Sequence, residues 1–270
     1  MSASNEPVVR SGAHAPARLA RTMAVTSGKG GVGKTMVSAN LAAALTRRGL
    51  RVLVLDADLG LANLDVVLNL HSKVTLHDVF EGKAELESAI VPTSGGFSVL
   101  LAGSGLVEYS RLTNDVREQL LAIVEKMKPR FDIILIDTGA GISDVVLFAV
   151  SLADEVLVVA TPEPTSLTDA YATIKVLATQ QGRRHIKLIV NQVSRPGEGR
   201  AIRGQLQQVV DRFVSPTLSA GGALKLELVG ELPTDPAVRE AVLKRQLLVE
   251  SIPGCAASKA IGLLAGKLLV

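Results

Sequence analysis

Residues 27–35 read "SGKGGVGKT", a glycine-rich loop that satisfies two nucleotide motifs together. Gly28, Gly30 and Gly33 fit G-x-G-x-x-G, the dinucleotide fingerprint, while Gly28, Gly33, Lys34 and Thr35 fit G-x-x-x-x-G-K-[ST], the P-loop. Both place the loop between a strand and a helix, with backbone N–H groups turned toward an anion. Asp56, at the end of the next apolar run, suits either motif, because a dinucleotide fold also puts a carboxylate there. Lys34 and Thr35 discriminate. A pyrophosphate bridge needs neither a cation nor a hydroxyl at those positions, whereas a triphosphate with Mg²⁺ uses both. The run "FDIILID" then ends in Asp137, the strand-tip acid of a Walker B arrangement that holds Mg²⁺ through water. The reading is therefore a nucleoside triphosphate with Mg²⁺. A dinucleotide oxidoreductase is left without a hydride-transfer acid or base near its motif.

Outward from the loop, short apolar runs alternate with helical stretches. "TMAVTS" precedes a helix over 34–48 and "RVLVLD" a broken segment, and "FSVLLA" precedes a helix over 111–128. "FDIILID" is followed by 143–152, "DEVLVVA" by 166–181, "HIKLIV" by 199–213, "LELVGEL" by 235–245, and the chain closes with 255–269. This alternation predicts an α/β fold, a single doubly wound, mostly parallel sheet of about eight strands over residues 22–270. Residues 1–21, rich in Ser, Ala, Pro and Gly without a sustained period, read as a flexible arm. Ligands of such sheets sit beyond the carboxyl ends of the strands.

Composition excludes several classes. No apolar run reaches the roughly 18 residues of a spanning helix. The net charge is +3, and the arm carries Arg10, Arg18 and Arg21 against Glu6, so the body is close to neutral. With no Trp, two Tyr and no basic cluster interleaved with aromatics, direct nucleic-acid binding is not expected. Cys255 is alone, and His14, His71, His77 and His185 lack metal-ligand spacing. A cytoplasmic protein fits these features.

Lys29 is extra to the P-loop motif. It lies on the loop's outer shoulder, where it cannot join Lys34 at the same phosphate without displacing the backbone cradle. Taken alone, the loop leaves two readings for it: a solvated lysine, or a cation supplied in trans to a nucleotide held by a facing subunit.

"GKGGVGKT" resembles the deviant Walker A motif of the MinD/ParA ATPases, over about residues 22–270. Within that family the nearest group is the flagellar-number regulators FleN/FlhG, through "LVLDADLGLANLDVVLNL" (53–70), "LIDTGAGISD" (135–144) and above all "PEPTSLTDAYATIKVL" (162–177). The resemblance implies an ATPase that forms an ATP-dependent sandwich homodimer, with Lys29 entering the partner's site. It implies a regulator of flagellar biosynthesis and number that binds a FleQ-type σ54-dependent activator and extends to the FlhF GTPase. The alternative is a MinD/ParA-like positioning ATPase at the membrane or on DNA.

The resemblance also assigns roles. ATP would lie on Gly28, Lys29, Gly30, Gly31, Val32, Gly33, Lys34, Thr35 and Met36. Asp58 would orient or deprotonate the attacking water, with Lys29 and Lys34 completing the catalytic set. Thr35, and Asp56 and Asp137 through water, would hold Mg²⁺. Asn191 would read the adenine, with Pro233 and Asp235 of "PTDP" as the other wall. Gly139 and Gly141 give the segment after Asp137 freedom to swing. Asp144 reads as a helix-start cap, and Thr165 or Ser166 with Asp169 as a capping motif.

Two departures narrow the transfer. The arm only faintly echoes the "DQAxxLR" element, because His14 and Ala15 do not fit it. In the last segment, Ile261, Leu264, Ala265 and Leu268 share one side while Leu263 and Val270 fall on the other, and only Lys259 and Lys267 are basic. That pattern favours a closing helix packed on the sheet over a membrane-targeting helix, which would give a peripheral contact with the inner membrane or cell pole.

Overall fold

The computed structural model describes residues 19–58, 63–103, 113–218 and 222–270. Most of the arm, the middle of "DADLGLAN" and the start of the expected 111–128 helix lie outside them. Arg21, expected in the arm, already belongs to the first strand.

Eight strands form one sheet: β1 (Arg21–Ser27), β2 (Val52–Ala57), β3 (Ile90–Pro92), β4 (Ser98–Leu100), β5 (Ile133–Ala140), β6 (Glu155–Ala160), β7 (His185–Val193) and β8 (Lys225–Pro233). Their spatial order is β3-β4-β2-β5-β1-β6-β7-β8, and every neighbouring pair is parallel except β3 with β4. β5 shows why these runs are uniformly apolar. Its Ile134 and Ile136 enter the core on one face, and Ile133 and Leu135 the core on the other. Both faces are covered, so alternation would leave no side for polar residues.

Helices α1 (Lys34–Thr46), α2 (Leu64–Leu68), α3 (Leu76–Phe80), α4 (Leu86–Ala89), α5 (Asn114–Met127), α6 (Asp144–Ser151), α7 (Pro164–Gln180), α8 (Glu198–Phe213), α9 (Pro236–Leu243), α10 (Leu248–Ser251) and α11 (Ala256–Lys267) complete the fold. α1 is buried almost all round, from Lys34 to Leu45. Its run of Ala39, Ala42, Ala43 and Ala44 keeps it thin enough to lie between the sheet and α11. α5, α6, α7 and α8 cover the opposite face.

Five short elements escaped the sequence pattern. The segment after β2 divides into α2, α3 and α4, and the antiparallel β3 is only three residues long. Four-residue α10 is equally short for a periodicity signal. α11 packs on β8 and α1 and buries Ile261, Leu264, Ala265 and Leu268, while Leu263 remains 72% exposed. Arg48 Nη2 also donates to the Gly262 carbonyl. The described helices include none long and apolar enough to cross a membrane.

Candidate nucleotide-binding site

The loop leaves the end of β1 and enters α1 through backbone that only glycine adopts readily. Gly31 has φ +77° and Gly33, at the N-cap of α1, φ +95°. Gly28 is fixed by a close approach: a Cβ there would lie 2.2 Å from the Asp169 carbonyl oxygen in α7. A Cβ on Gly33 would meet Asn191 Nδ2 at 2.5 Å. The loop is thus clasped from behind by α7 and by the end of β7.

Lys34 is buried and donates through Nζ to Ser27 Oγ at 2.9 Å. Burial lowers its pKa, opposed by the charges of Asp137 and Asp58. Asp137, expected at a strand tip, lies three residues before the end of β5, which runs on to Ala140, and it pairs across the sheet with Asp56 of β2. Ser38 Oγ donates to Asp137 Oδ1 at 2.8 Å, and the Thr35 hydroxyl also bonds this carboxyl. Desolvation pushes the Asp137 pKa up to about 6 against those hydrogen bonds. Asp56 is raised further, first by burial and then by Asp137. Its Oδ1 accepts from the Asp58 N–H at 3.1 Å, and its Oδ2 is buried without a hydrogen-bond partner.

Two buried carboxyls side by side, one with an orphaned oxygen, are costly in an apolar interior unless a cation joins them. The neighbouring Thr35 hydroxyl adds a hard oxygen donor. This all-oxygen donor set fits Mg²⁺, and the glycine cradle with its buried lysine fits the phosphates that accompany it. A cavity of about 730 Å³ opens over Gly30, Gly33, Lys34, Thr35, Asp58 and Gly139. Asp58 Oδ1 lies 3.3 Å from where a Gly139 Cβ would be, so Asp58 rests against the segment that follows Asp137. Met36 and Gly31 line the same cavity, and Val32 is buried beneath it.

Lys29 stands outside this arrangement. Its Nζ donates to Glu163 Oε2 at 2.8 Å and to Thr165 Oγ1 at 2.9 Å, both at the start of α7. Asn191 is buried, donates from Nδ2 to the Val32 carbonyl at 2.8 Å, and accepts at Oδ1 from the Gln192 N–H. Asp235 accepts from the Ala237 and Ala257 N–H groups, capping α9 and the start of α11. Pro233 ends β8 beside Val193. Asn191, Pro233 and Asp235 lie outside the lining of the phosphate-side cavity.

Two capping expectations are corrected. Ser143, not Asp144, caps α6 by accepting from the Val146 N–H, and Asp144 occupies the first turn. Glu163 holds the N-cap position of α7 with Pro164 behind it, while the Ser166 hydroxyl is buried and accepts from the Thr161 N–H. The Thr165 hydroxyl turns to Lys29. The roles of Glu163 and Thr165 as partners of Lys29 escaped sequence reading, since they lie more than a hundred residues downstream.

A family model described as "ParA: NUBPL iron-transfer P-loop NTPase" matches residues 18–269. The chain belongs to the ParA family of P-loop NTPases. This ParA-family chain is 42% identical to the antiactivator FleN of Pseudomonas aeruginosa over 247 residues, 92% of this chain and 85% of that protein. It is 33% identical to the flagellum site-determining protein YlxH of Helicobacter pylori, covering 92% of this chain and 81% of YlxH. It superimposes on the septum site-determining protein MinD of Pyrococcus horikoshii, complexed with Mg-ADP, with a TM-score of 0.74 at 29% identity, over 93% of this chain and 96% of that one. The eight-stranded sheet is the MinD/ParA fold. The chain is an ATP-binding protein similar to flagellar-number regulators.

Proposed function

We propose that the chain is an ATP-dependent dimerising switch that regulates flagellar biosynthesis and number by binding and restraining a FleQ-type transcriptional activator, with FlhF as a further partner. The observation that carries the reading is the position of Lys29, outside the phosphate cradle and held on an exposed shoulder by the 162–177 stretch. The name of the FleN relative, an antiactivator, supports the flagellar assignment.

In this reading the loop amides of residues 28–35 and Lys34 hold the triphosphate, and Thr35, Asp56 and Asp137 would hold Mg²⁺, the two acids through water. The ion, when bound, neutralises phosphate oxygens. Asp58 orients the attacking water and accepts its proton. Gly139 and Gly141 let the following segment shift between nucleotide states. Lys29 crosses to the facing subunit and stabilises charge on the transferring phosphoryl group. Asn191 with the 233–236 segment encloses the base.

Sedimentation velocity with a non-hydrolysable ATP analogue, followed by pull-down of the activator by the Asp58→Ala protein, tests the proposal. Dimers that retain the activator are expected. Monomers throughout, or dimers that ignore it, would overturn the reading.

A further inference from the structure

β8 is an edge strand, and α8 and α11 pack on its two faces. Both helices overhang it, leaving a trough of about 1140 Å³, larger than the cavity over the P-loop. Its floor is the strand edge itself with the half-buried Leu228, and Leu263 of α11 forms one exposed apolar wall.

The edge already accepts a pairing partner. Gln207 of α8 accepts at Oε1 from the Leu226 N–H at 2.8 Å and donates from Nε2 to the Leu224 carbonyl at 2.7 Å. A side-chain amide there makes the two bonds that one residue of a parallel neighbour would make. The strand's alternation next turns the Leu226 carbonyl and the Leu228 N–H outward, before the register shift that follows Leu228.

Charge decides what fits. Of the trough's acids, Glu227 pairs with His185, Asp211 accepts from Gln207, and Glu231 accepts from the Gly197 and Arg200 N–H groups at the start of α8. The rim cations Arg200, Arg203, Lys225 and Lys267 form no ion pair among the described residues. They outnumber the three acids, whose bonds from His185 and from backbone and amide donors leave their charge in place but hold them against the protein. The chain's own N-terminal segment carries Arg10 and Arg18 against Glu6, the wrong sign for this rim. No aromatic residue lines the trough to stack a base.

We propose that this trough docks an extended, acidic segment of a partner protein. The segment adds to β8 at Leu226–Leu228, sets apolar side chains on Leu228 and Leu263, and directs carboxylates to the rim cations. The trough shares no lining residue with the cavity over the P-loop, and the proposal is independent of the switch reading.

Fluorescence polarisation on the full chain tests it with four probes: an octapeptide alternating Val and Glu, the same peptide with Lys for Glu, an N-methylated Val/Glu version, and a short DNA duplex. The Val/Glu peptide is expected to bind in a salt-sensitive way. Arg200→Glu combined with Arg203→Glu should weaken it by about tenfold or more while leaving ATP turnover unchanged. N-methylation should abolish binding, because it removes the backbone donors of an added strand. Amide exchange in the wild type should slow at Leu228 when the peptide is bound. Failure of the Val/Glu peptide to bind, indifference to rim reversal or to N-methylation, or tighter rim-dependent binding of the duplex would each overturn the proposal, the last in favour of nucleic acid.

Discussion

Lys29 and Glu163, 134 residues apart, meet at 2.8 Å in a bond that Thr165 completes. The signature lysine of the loop is thereby tethered within its own subunit to the helix carrying the most group-specific stretch of the sequence. Both partners are partly solvated, the lysine 37% and the glutamate 60% exposed, so the tether is weak. Exposed pairs contribute about 0.2–1 kcal/mol.

A tether of that strength is easily reversed. Glu163→Gln with Thr165→Ala should shift nucleotide-driven dimerisation toward the dimer by roughly two- to fivefold, read by sedimentation with an ATP analogue. An unchanged or weakened dimer would show that the pair does not compete with assembly.

Lys29→Ala and Lys34→Ala should separate binding from turnover. Lys34 is buried at the start of α1 and bonded to Ser27, in the proposed phosphate cradle, so its loss should remove both ATP binding and hydrolysis. Lys29→Ala should keep ATP affinity while dimer-coupled hydrolysis falls by about a hundredfold or more, the cost of one transition-state donor. Full hydrolysis by a monomeric Lys29→Ala protein would refute the trans arrangement.

The glycines of the loop should not respond alike. Gly28→Ala puts a Cβ 2.2 Å from backbone and must shift α7 or the loop, so ATP affinity should fall by at least about tenfold. Gly30 has open space around it and no positive φ, and Gly30→Ala should leave the fold's melting temperature unchanged. Isothermal titration and a thermal melt on each variant check the contrast.

Asn191 should matter before any nucleotide arrives. Its amide satisfies the Val32 carbonyl, and Asn191→Ala leaves that group short of a donor at a cost of about 1–3 kcal/mol. The nucleotide-free protein should therefore melt lower. A residue that only read the base would change KM and leave that melt alone.

Glu155 sets an acid limit. Burial pushes its pKa up, but hydrogen bonds from Lys187 and Arg21 outweigh this and hold it below the ordinary glutamate value. Its contribution to stability is thus complete above the unfolded pKa of about 4.3 and is lost as pH falls through the lower folded one. Urea midpoints should drop on acidification below that range in the wild type and less steeply in Glu155→Gln. Identical slopes would remove the linkage.

Much of this protein was legible in the sequence because its signals are local. A P-loop match needs eight consecutive residues, and Asp56 and Asp137 are marked by the apolar runs that end at them, which pointed to a parallel sheet covered on both faces. Short β3 and α10 carried no periodicity to read, and one-residue shifts in capping, Ser143 for Asp144, lie below what spacing resolves. Tertiary structure alone decided what stands beside the loop. Backbone packing brought α7 against Gly28, placed Glu163 and Thr165 under Lys29, and turned the amide of Asn191 onto Val32. The same packing left β8 open between two helices. Contacts between residues a hundred or more positions apart depend on which strands become neighbours, a property of the assembled sheet that no window of the chain contains.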